Sequence, residues 1–179
     1  MRRYTHIVLI GMKHSGKTTV GNLLAKELNL PFYDTDTKVF DLAGKTVREL
    51  YDEGGPELMM HWETKACRAL SANPIKSIIA SGGGLADNSE AFISLNENGL
   101  CIYLDTPCDV LFERIMKSAE MDGRLPPFLQ CPDPYSRFCE IFYQRSKTYD
   151  TIAHVRVSTY ELRPQDVAKN ILELLKYEQ

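Results

Sequence analysis

The chain has 179 residues, of which 44% are hydrophobic and 25% are charged, and its formal net charge is −3. This profile is typical of one globular domain, and the slight negative charge argues against a general attraction to nucleic acid or anionic membranes. No apolar run is long enough to span a bilayer, and no signal peptide is expected before the first strand. The five cysteines include no C-x-x-C pair, which predicts neither a disulfide framework nor a zinc site but free thiols in a reducing cytoplasm.

Apolar runs that predict β-strands alternate along the chain with stretches of helical spacing. The strands are predicted at residues 5–10, 32–34, 77–80, 100–104 and 155–157. The helices are predicted at residues 18–28, about 37–72 with breaks near 44 and 54–56, from about 89, 107–117, 134–148 and 164–177. This alternation predicts a single α/β domain over residues 1–179, with a central five-stranded parallel sheet between two layers of helices.

Residues 11–18 lie between the first strand and the first helix and fit the phosphate-binding pattern G-x-x-x-x-G-K-[ST]. The two glycines allow backbone conformations closed to other residues, so that the loop amides and the helix N-terminus can point at an anion. Lys17 would bring its charge to the β- and γ-phosphates, and the Thr18 hydroxyl can bind Mg²⁺. The predicted nucleotide contacts in this region are Gly11, Lys13, Ser15, Gly16, Lys17, Thr18 and Thr19.

Two more polar segments follow predicted strands, and ligands of open parallel sheets bind beyond the carboxyl ends of strands. Asp34 and Asp36 follow the second strand and would share one of its faces if the chain were extended there. One carboxylate could then bind Mg²⁺ and the other a substrate hydroxyl, although Asp and Thr also favour a simple turn. The triple glycine of residues 82–84 allows either a close backbone approach or a flexible turn.

The stretch from Asp122 to Pro127 contains a glycine and paired prolines, so it cannot be continuous helix. We therefore predict a mobile lid over about residues 116–134, with Arg124 at its centre. An arginine brought over the phosphates would stabilise transition-state charge, but the spacing alone fits a solvated surface residue equally well. Arg145, in a later predicted helix, is by itself also more typical of a surface residue.

Taken together, these segments resemble the motifs of the shikimate kinase family over nearly the whole chain. The matching segments are the loop 11–18, the aromatic-x-Asp-x-Asp of residues 32–36, the triple glycine, Gly123 to Pro126 with one extra residue before the proline, and the Arg-x-x-x-Tyr of residues 145–149. The resemblance implies a P-loop kinase that uses ATP and Mg²⁺ to convert shikimate to shikimate 3-phosphate and ADP in aromatic amino-acid biosynthesis.

The same resemblance implies roles for individual residues. Asp34 would bind Mg²⁺ together with Thr18, while Asp36 would contact the substrate hydroxyls and assist the attacking one. Residues from about 37 to 72 would form a helical substrate-binding region, and the protein is expected to be a monomer without nucleic-acid or membrane partners. The catalytic set would be Lys17, Asp36 and Arg124, the acceptor contacts Gly82, Gly83, Gly84 and Arg145, and the nucleotide contacts outside the loop Arg124 and Arg163.

One position departs from the family pattern. Met60 lies where the family normally carries a second carboxylate-binding arginine, and a thioether cannot donate a hydrogen bond to a carboxylate. Losing one charge-assisted hydrogen bond of roughly 1.5–3 kcal/mol could weaken substrate binding by about ten- to a hundredfold. His61 or Arg68 could compensate for it.

The departure at Met60 keeps two alternatives open. The first is a small-molecule kinase of the same fold that acts on another acceptor, such as a sugar acid or a polyol. The second is a pseudoenzyme or regulatory module that binds a nucleotide without catalysis. The second is disfavoured because the chain retains Lys17, Thr18, Asp34, Asp36 and Arg124.

Overall fold

The computed structural model describes residues 4–177, and the two ends of the predicted domain, residues 1–3 and 178–179, lie outside the described residues. Five strands form one sheet: β1 His6–Ile10, β2 Phe32–Asp34, β3 Ser77–Ala80, β4 Gly99–Asp105 and β5 Val155–Ser158. Their order is β2-β3-β1-β4-β5, and every neighbouring pair is parallel. All five strands lie within two residues of their predicted bounds.

The helices cover both faces of this sheet. They are α1 Lys17–Leu28, α2 Thr35–Ala43, α3 Val47–Ser71, α4 Ser89–Asn98, α5 Cys108–Asp122, α6 Pro134–Ile152 and α7 Pro164–Tyr177. Apolar side chains of α1 and α7 form one core layer, while those of α3 to α6 form the other. A small third cluster joins α2 to α3. The predicted three-layer α/β fold is therefore confirmed.

The burial of strand β1 explains why four of its five residues are apolar. All five of its residues are buried, and successive side chains point to opposite faces of the sheet. Val8 and Ile10 pack into the layer of α3 to α6, whereas Ile7 and Leu9 pack against α1 and α7. A central parallel strand covered on both faces is therefore apolar at most positions, and its one polar residue, His6, hydrogen-bonds to Ser77 at 2.8 Å.

Helix α3 is the longest and carries a break at the predicted place. Gly54 and Gly55 have non-helical backbone angles, with φ of +67° at Gly55, and Pro56 follows them. The second half of the helix, beyond this kink, contributes Cys67 and Leu70 to the core against the sheet. Among the described residues, none of the helices is long and apolar enough to cross a membrane.

Helix α5 extends further than predicted and changes the picture of the lid. It runs to Asp122 and ends at Gly123, whose φ of +66° lets the backbone N–H of Arg124 reach back to the Ala119 carbonyl at 3.0 Å. The first part of the predicted lid is thus regular helix. Leu129 is fully buried in the core, so this part of the predicted lid is packed, and the mobility of the segment stays a prediction.

Candidate active site

The phosphate-binding loop takes the conformation that its two glycines permit. Gly11 has φ of +142°, and a Cβ added there would lie 2.9 Å from the carbonyl oxygen of Leu104. Gly16 has φ of +95° and precedes the first residue of α1. The predicted sequence of strand, loop and helix is therefore present, with the N-terminus of α1 at the carboxyl edge of the sheet.

The ammonium group of Lys17 lies inside this loop. Its Nζ donates to the carbonyl oxygens of Gly11 at 2.9 Å and Met12 at 2.7 Å, and it lies 3.5 Å from Ser15 Oγ. The residue is 7% exposed. Burial lowers the pKa of Lys17 to about 8, against the opposing effect of the Asp36 carboxylate. A bound phosphate would supply negative charge and raise this pKa again.

The other predicted contacts of the loop differ in accessibility. Ser15 is buried, at 3% exposure. Lys13 and Thr19 are exposed, the first in the loop and the second in the opening turn of α1. The loop therefore offers one buried cation, Lys17, and one solvent-facing cation, Lys13, to an incoming anion.

Thr18 and Asp34 meet where a metal ion was predicted. The Thr18 hydroxyl donates to Asp34 Oδ2 at 2.9 Å, across the gap between α1 and β2. Within the described part of the chain no three His, Cys, Asp or Glu side chains group as a metal site. This pair fits Mg²⁺, which commonly takes one or two protein ligands and completes its shell with water and substrate phosphates.

Asp36 lies in the first turn of α2, so the condition for it to share a strand face with Asp34, an extended chain, is not met. The reason is that Asp34 caps this helix, because its Oδ1 accepts the backbone N–H of Asp36 at 2.9 Å. The Asp36 side chain remains open to solvent. The surrounding protein atoms still desolvate it in part, and this effect, followed by the Asp34 charge, raises the pKa of Asp36.

The triple glycine allows close packing, so the first of its two interpretations is correct. A Cβ at Gly82 would lie 2.8 Å from Asp36 Oδ1 and 3.0 Å from Glu63 Oε1. A Cβ at Gly83 would lie 2.6 Å from the backbone nitrogen of Lys13. The glycine turn thus brings the phosphate loop and two carboxylates together, and at Gly83 the Lys13 backbone leaves no room for a side chain.

Arg145 is part of this site rather than a surface residue. Its Nε and Nη2 donate to Asp87 Oδ2 at 3.0 and 2.6 Å, and its Nη1 donates to the Gly83 carbonyl at 3.3 Å. Tyr149, one helical turn later, donates its hydroxyl to the same carbonyl at 3.1 Å. The Arg145 side chain is 18% exposed, and its Nη2 lies 4.0 Å from where a Cβ at Gly84 would stand.

Two predicted arginines are not brought to the phosphate loop. Arg124 Nη2 lies 3.9 Å from Asp52 Oδ2, and about half of its side chain is exposed. Arg163 pairs instead with Asp166 in the first turn of α7, through contacts of 2.9 and 3.1 Å. Neither arginine has a hydrogen bond to the loop in this conformation.

A different arginine contacts the loop. Arg114, on α5, donates from Nη1 to the carbonyl oxygen of His14 at 2.9 Å. Its side chain reaches the loop because α5 follows β4, the neighbour of β1 in the sheet. Arg114 is therefore a cation beside the phosphate-binding loop that the sequence interpretation did not include.

Comparison with known proteins assigns this arrangement to a family. A profile of the family described as shikimate kinase matches residues 13–176. The chain belongs to the shikimate kinase family. The shikimate kinase of Symbiobacterium thermophilum is 36% identical over 171 residues, which cover 96% of each chain.

Solved structures agree with this assignment. A shikimate kinase from Acinetobacter baumannii, in complex with shikimate, has a TM-score of 0.88 at 26% identity and covers 98% of this chain and 95% of its own. The shikimate kinase of Aquifex aeolicus has a TM-score of 0.78 at 30% identity, with 96% of each chain covered. Members of this family use ATP as the phosphoryl donor.

The surroundings of Met60, where the family pattern fails, contain a buried carboxylate. Glu63 is 6% exposed, and its Oε2 accepts from Asn88 Nδ2 at 2.9 Å. The same amide group donates to the Met60 carbonyl at 3.0 Å. Burial raises the pKa of Glu63, the Asn88 hydrogen bond lowers it, and the charge of Asp36 raises it again.

Both residues suggested as substitutes for the missing arginine have other partners in this structure. His61 is exposed and contacts the edge of the Trp62 ring, with 5.8 Å between ring centroids. Arg68 lies farther along α3 and pairs with Glu90 on the surface. Compensation by Arg68 stays a prediction, and in this structure Arg145 is the arginine that contacts the glycine turn.

The sequence interpretation missed three residues of this site. Glu63 had a usable signal, because it falls on the buried stripe of α3 with Cys67 and Leu70. A carboxylate is rarely buried unless it has a partner, so its place on this stripe suggests a function. Asp87 and Arg114 had none, since charged residues in surface-like positions are common and their partners are distant in sequence.

Proposed function

We propose that this protein transfers the γ-phosphoryl group of ATP to a hydroxyl group of shikimate, giving shikimate 3-phosphate and ADP. The observation that carries the proposal is the glycine turn. Gly83 packs on the phosphate loop at Lys13, while Gly82 and Gly84 lie beside Asp36 and Arg145. A hydroxyl-bearing acid bound at this turn would have its acceptor group next to the phosphates and its carboxylate next to an arginine.

On the donor side, the loop amides, the N-terminus of α1 and Lys17 would bind the phosphates. Electrostatic stabilisation and positioning account for most of the catalysis in phosphoryl transfer. Thr18 and Asp34 would bind Mg²⁺, which when present neutralises charge on the phosphate oxygens. Arg114 would add a positive charge at the outer side of the loop, where it already contacts the backbone.

On the acceptor side, Asp36 would orient the attacking hydroxyl and accept its proton. Its raised pKa supports this role, because a base works best when its pKa is not far below the working pH. Arg145 would pair with the substrate carboxylate through the planar guanidinium group that suits such a partner. To do so it must leave Asp87 or share itself between two carboxylates.

The lid remains part of the proposal in a shorter form. Residues 123–128 lie between the end of α5 and the buried Leu129, so they can move while both ends stay attached. Closure would carry Arg124 away from its long contact with Asp52 and over the phosphates. Lids of this kind exclude water and complete the site.

One observation favours a second acceptor class within the same fold. The acceptor region offers Met60 where a second arginine would stand, and its arginine is already paired with Asp87. A sugar acid with a different spacing between carboxylate and hydroxyl, or an uncharged polyol, is therefore the second candidate. We further propose that the protein works as a monomer in the cytoplasm. The five free thiols support the reducing compartment.

A coupled ADP-release assay on the purified protein tests these proposals. Shikimate, several sugar acids and several polyols would be compared at saturating ATP, with Lys17→Ala as the background control. We expect shikimate to give the highest kcat/KM. Turnover with another acceptor but not with shikimate would keep the kinase activity and replace the substrate, whereas no acceptor-dependent turnover at all would support the pseudoenzyme.

A further inference from the structure

Two of the five cysteines lie side by side, outside the site described above. Cys108 begins α5 and Cys139 lies in α6, and their Sγ atoms are 3.5 Å apart. Both side chains are partly accessible, whereas Cys67 and Cys101 are buried. Cys131 is exposed and lies in the segment between these two helices. The pair is therefore the place in the described chain where two thiols are both adjacent and reachable.

We propose that Cys108 and Cys139 form a dithiol modification site, which a small-molecule disulfide converts to an intramolecular disulfide bond. The two sulfur atoms need to approach from 3.5 Å to the bond length of about 2.05 Å.

The exchange proceeds in two balanced steps. A cysteine thiolate attacks one sulfur of the disulfide RSSR, forms a mixed disulfide and releases RS⁻. The neighbouring cysteine, as its thiolate, attacks the cysteine sulfur of that mixed disulfide and releases the second RS⁻. The two protons lost by the cysteines go to the two leaving thiolates, so two protein thiols are oxidised and one RSSR is reduced to two RSH.

The surroundings of the pair favour retention of the bond once it has formed. Burial, followed by the contact with Cys139, raises the pKa of the Cys108 thiol. A thiol with a high pKa is a poor leaving group, so thiols in solution displace it slowly. The same raised pKa makes formation slow at neutral pH and faster as the pH rises, because the thiolate is the attacking species.

The cross-link would join the two helices that flank the segment containing Arg124. The loop that it closes runs from Cys108 to Cys139 and includes all of residues 123–133. A disulfide across such a loop restricts the unfolded chain and stabilises the fold. We expect the midpoint of thermal unfolding to rise by about 5–10 °C on oxidation and to return on reduction.

Peptide mapping of the full chain tests the proposal. The reduced protein would be incubated with glutathione disulfide at mildly alkaline pH, blocked with an alkylating agent and cleaved after Lys and Arg without reduction. Cys108, Cys131 and Cys139 then fall on separate peptides, residues 77–114, 125–137 and 138–145. The expected product joins the first and the last of these, and the intact protein loses the mass of two hydrogen atoms.

Three single variants identify the pair. Cys131→Ser is the matched control. It should form the same link as wild type, and its midpoint of thermal unfolding should rise by the same amount on oxidation. Cys108→Ser and Cys139→Ser should lose both and retain a glutathione adduct on the remaining thiol. Because Cys101 shares the peptide of Cys108, the loss of the link in Cys108→Ser also excludes Cys101 as its partner. Three results would each overturn the proposal: a link to Cys131, a link between two chains, or an adduct on Cys131 alone. The peptide map of the wild-type protein shows each of them, so the test holds even if a serine variant fails to fold.

Discussion

Asp87 forms a salt bridge with Arg145, the arginine that an acceptor carboxylate would need. Removing the charge of Asp87 should therefore improve the binding of shikimate. Both Nε and Nη2 of Arg145 donate to the same Asp87 oxygen, at 3.0 and 2.6 Å. The Asp87→Asn change keeps the size and shape of the side chain but removes the competing charge. The incoming carboxylate then meets an arginine that is weakly held and ready to rotate.

The magnitude follows from the exposure of the pair. A hydrogen bond to a charged group contributes about 1.5–3 kcal/mol when it is protected, but the Asp87 side chain is 52% exposed and that of Arg145 is 18% exposed. Solvent screening reduces such a pair to about 1 kcal/mol or less. Releasing it should lower KM for shikimate by about fivefold. The kcat should change less, because the carboxylate is bound similarly in the ground state and the transition state.

The assay measures ADP release at saturating ATP over a range of shikimate concentrations. Glu90→Gln is the matched control, since it also converts a carboxylate paired with an arginine to an amide, but at the surface contact with Arg68. The control should leave KM unchanged. An Asp87→Asn variant whose KM is equal to or higher than that of wild type would refute the reasoning, because Asp87 would then position Arg145 for the substrate instead of competing for it.

Four further predictions concern the donor, the acceptor and the lid. Lys17→Ala should lower kcat by several powers of ten with the fold retained, as circular dichroism would check, and turnover within threefold of wild type contradicts the assignment. Asp36→Asn should reduce kcat far more than ATP affinity, measured by calorimetry, and the reverse pattern would exchange the roles of Asp36 and Asp34. Met60→Arg should lower KM for shikimate by about tenfold, the size of one charged hydrogen bond, and an unchanged KM would mean that another residue already supplies the second contact. Hydrogen exchange of residues 123–128 should slow with an ATP analogue bound, and equal exchange in both states would count against a lid.

The fold and the donor side could be predicted because their signals are local. The apolar run of β1, the glycine loop after it and the helical spacing from Val20 to Leu28 lie within one continuous stretch. Backbone rules for glycine then fix the loop, and Gly11 and Gly16 have the positive φ values that those rules require. The same local logic placed the break in α3 at Gly54 and Gly55.

The acceptor side could be predicted only in part, because its geometry depends on contacts between distant segments. Arg145 and Asp87 are 58 positions apart, and Glu63 and Asn88 are 25 apart. The local structure at Asp36 also differs from the sequence pattern, since the cap made by Asp34 starts α2 at Thr35, two residues before the predicted start. Capping is a short-range effect, but Asp34 is both the last residue of β2 and the N-cap of α2. The sequence alone therefore does not show where the extended chain ends and the helix begins.

The charges around the glycine turn explain why the missing arginine matters more than one lost contact. Asp36, Glu63 and Asp87 are three carboxyl groups near this turn, and Arg145 contacts one of them, Asp87. The raised pKa values of Asp36 and Glu63 are caused first by desolvation and then, in part, by neighbouring carboxylates. A carboxylate-bearing acceptor therefore enters a region that already holds several carboxyl groups and whose arginine is paired with one of them. An arginine at position 60 would add a positive charge about one turn from Glu63 on the same helix. With Met60 there, the negative charge of Asp36 is offset from the donor side, by Lys17 and Lys13.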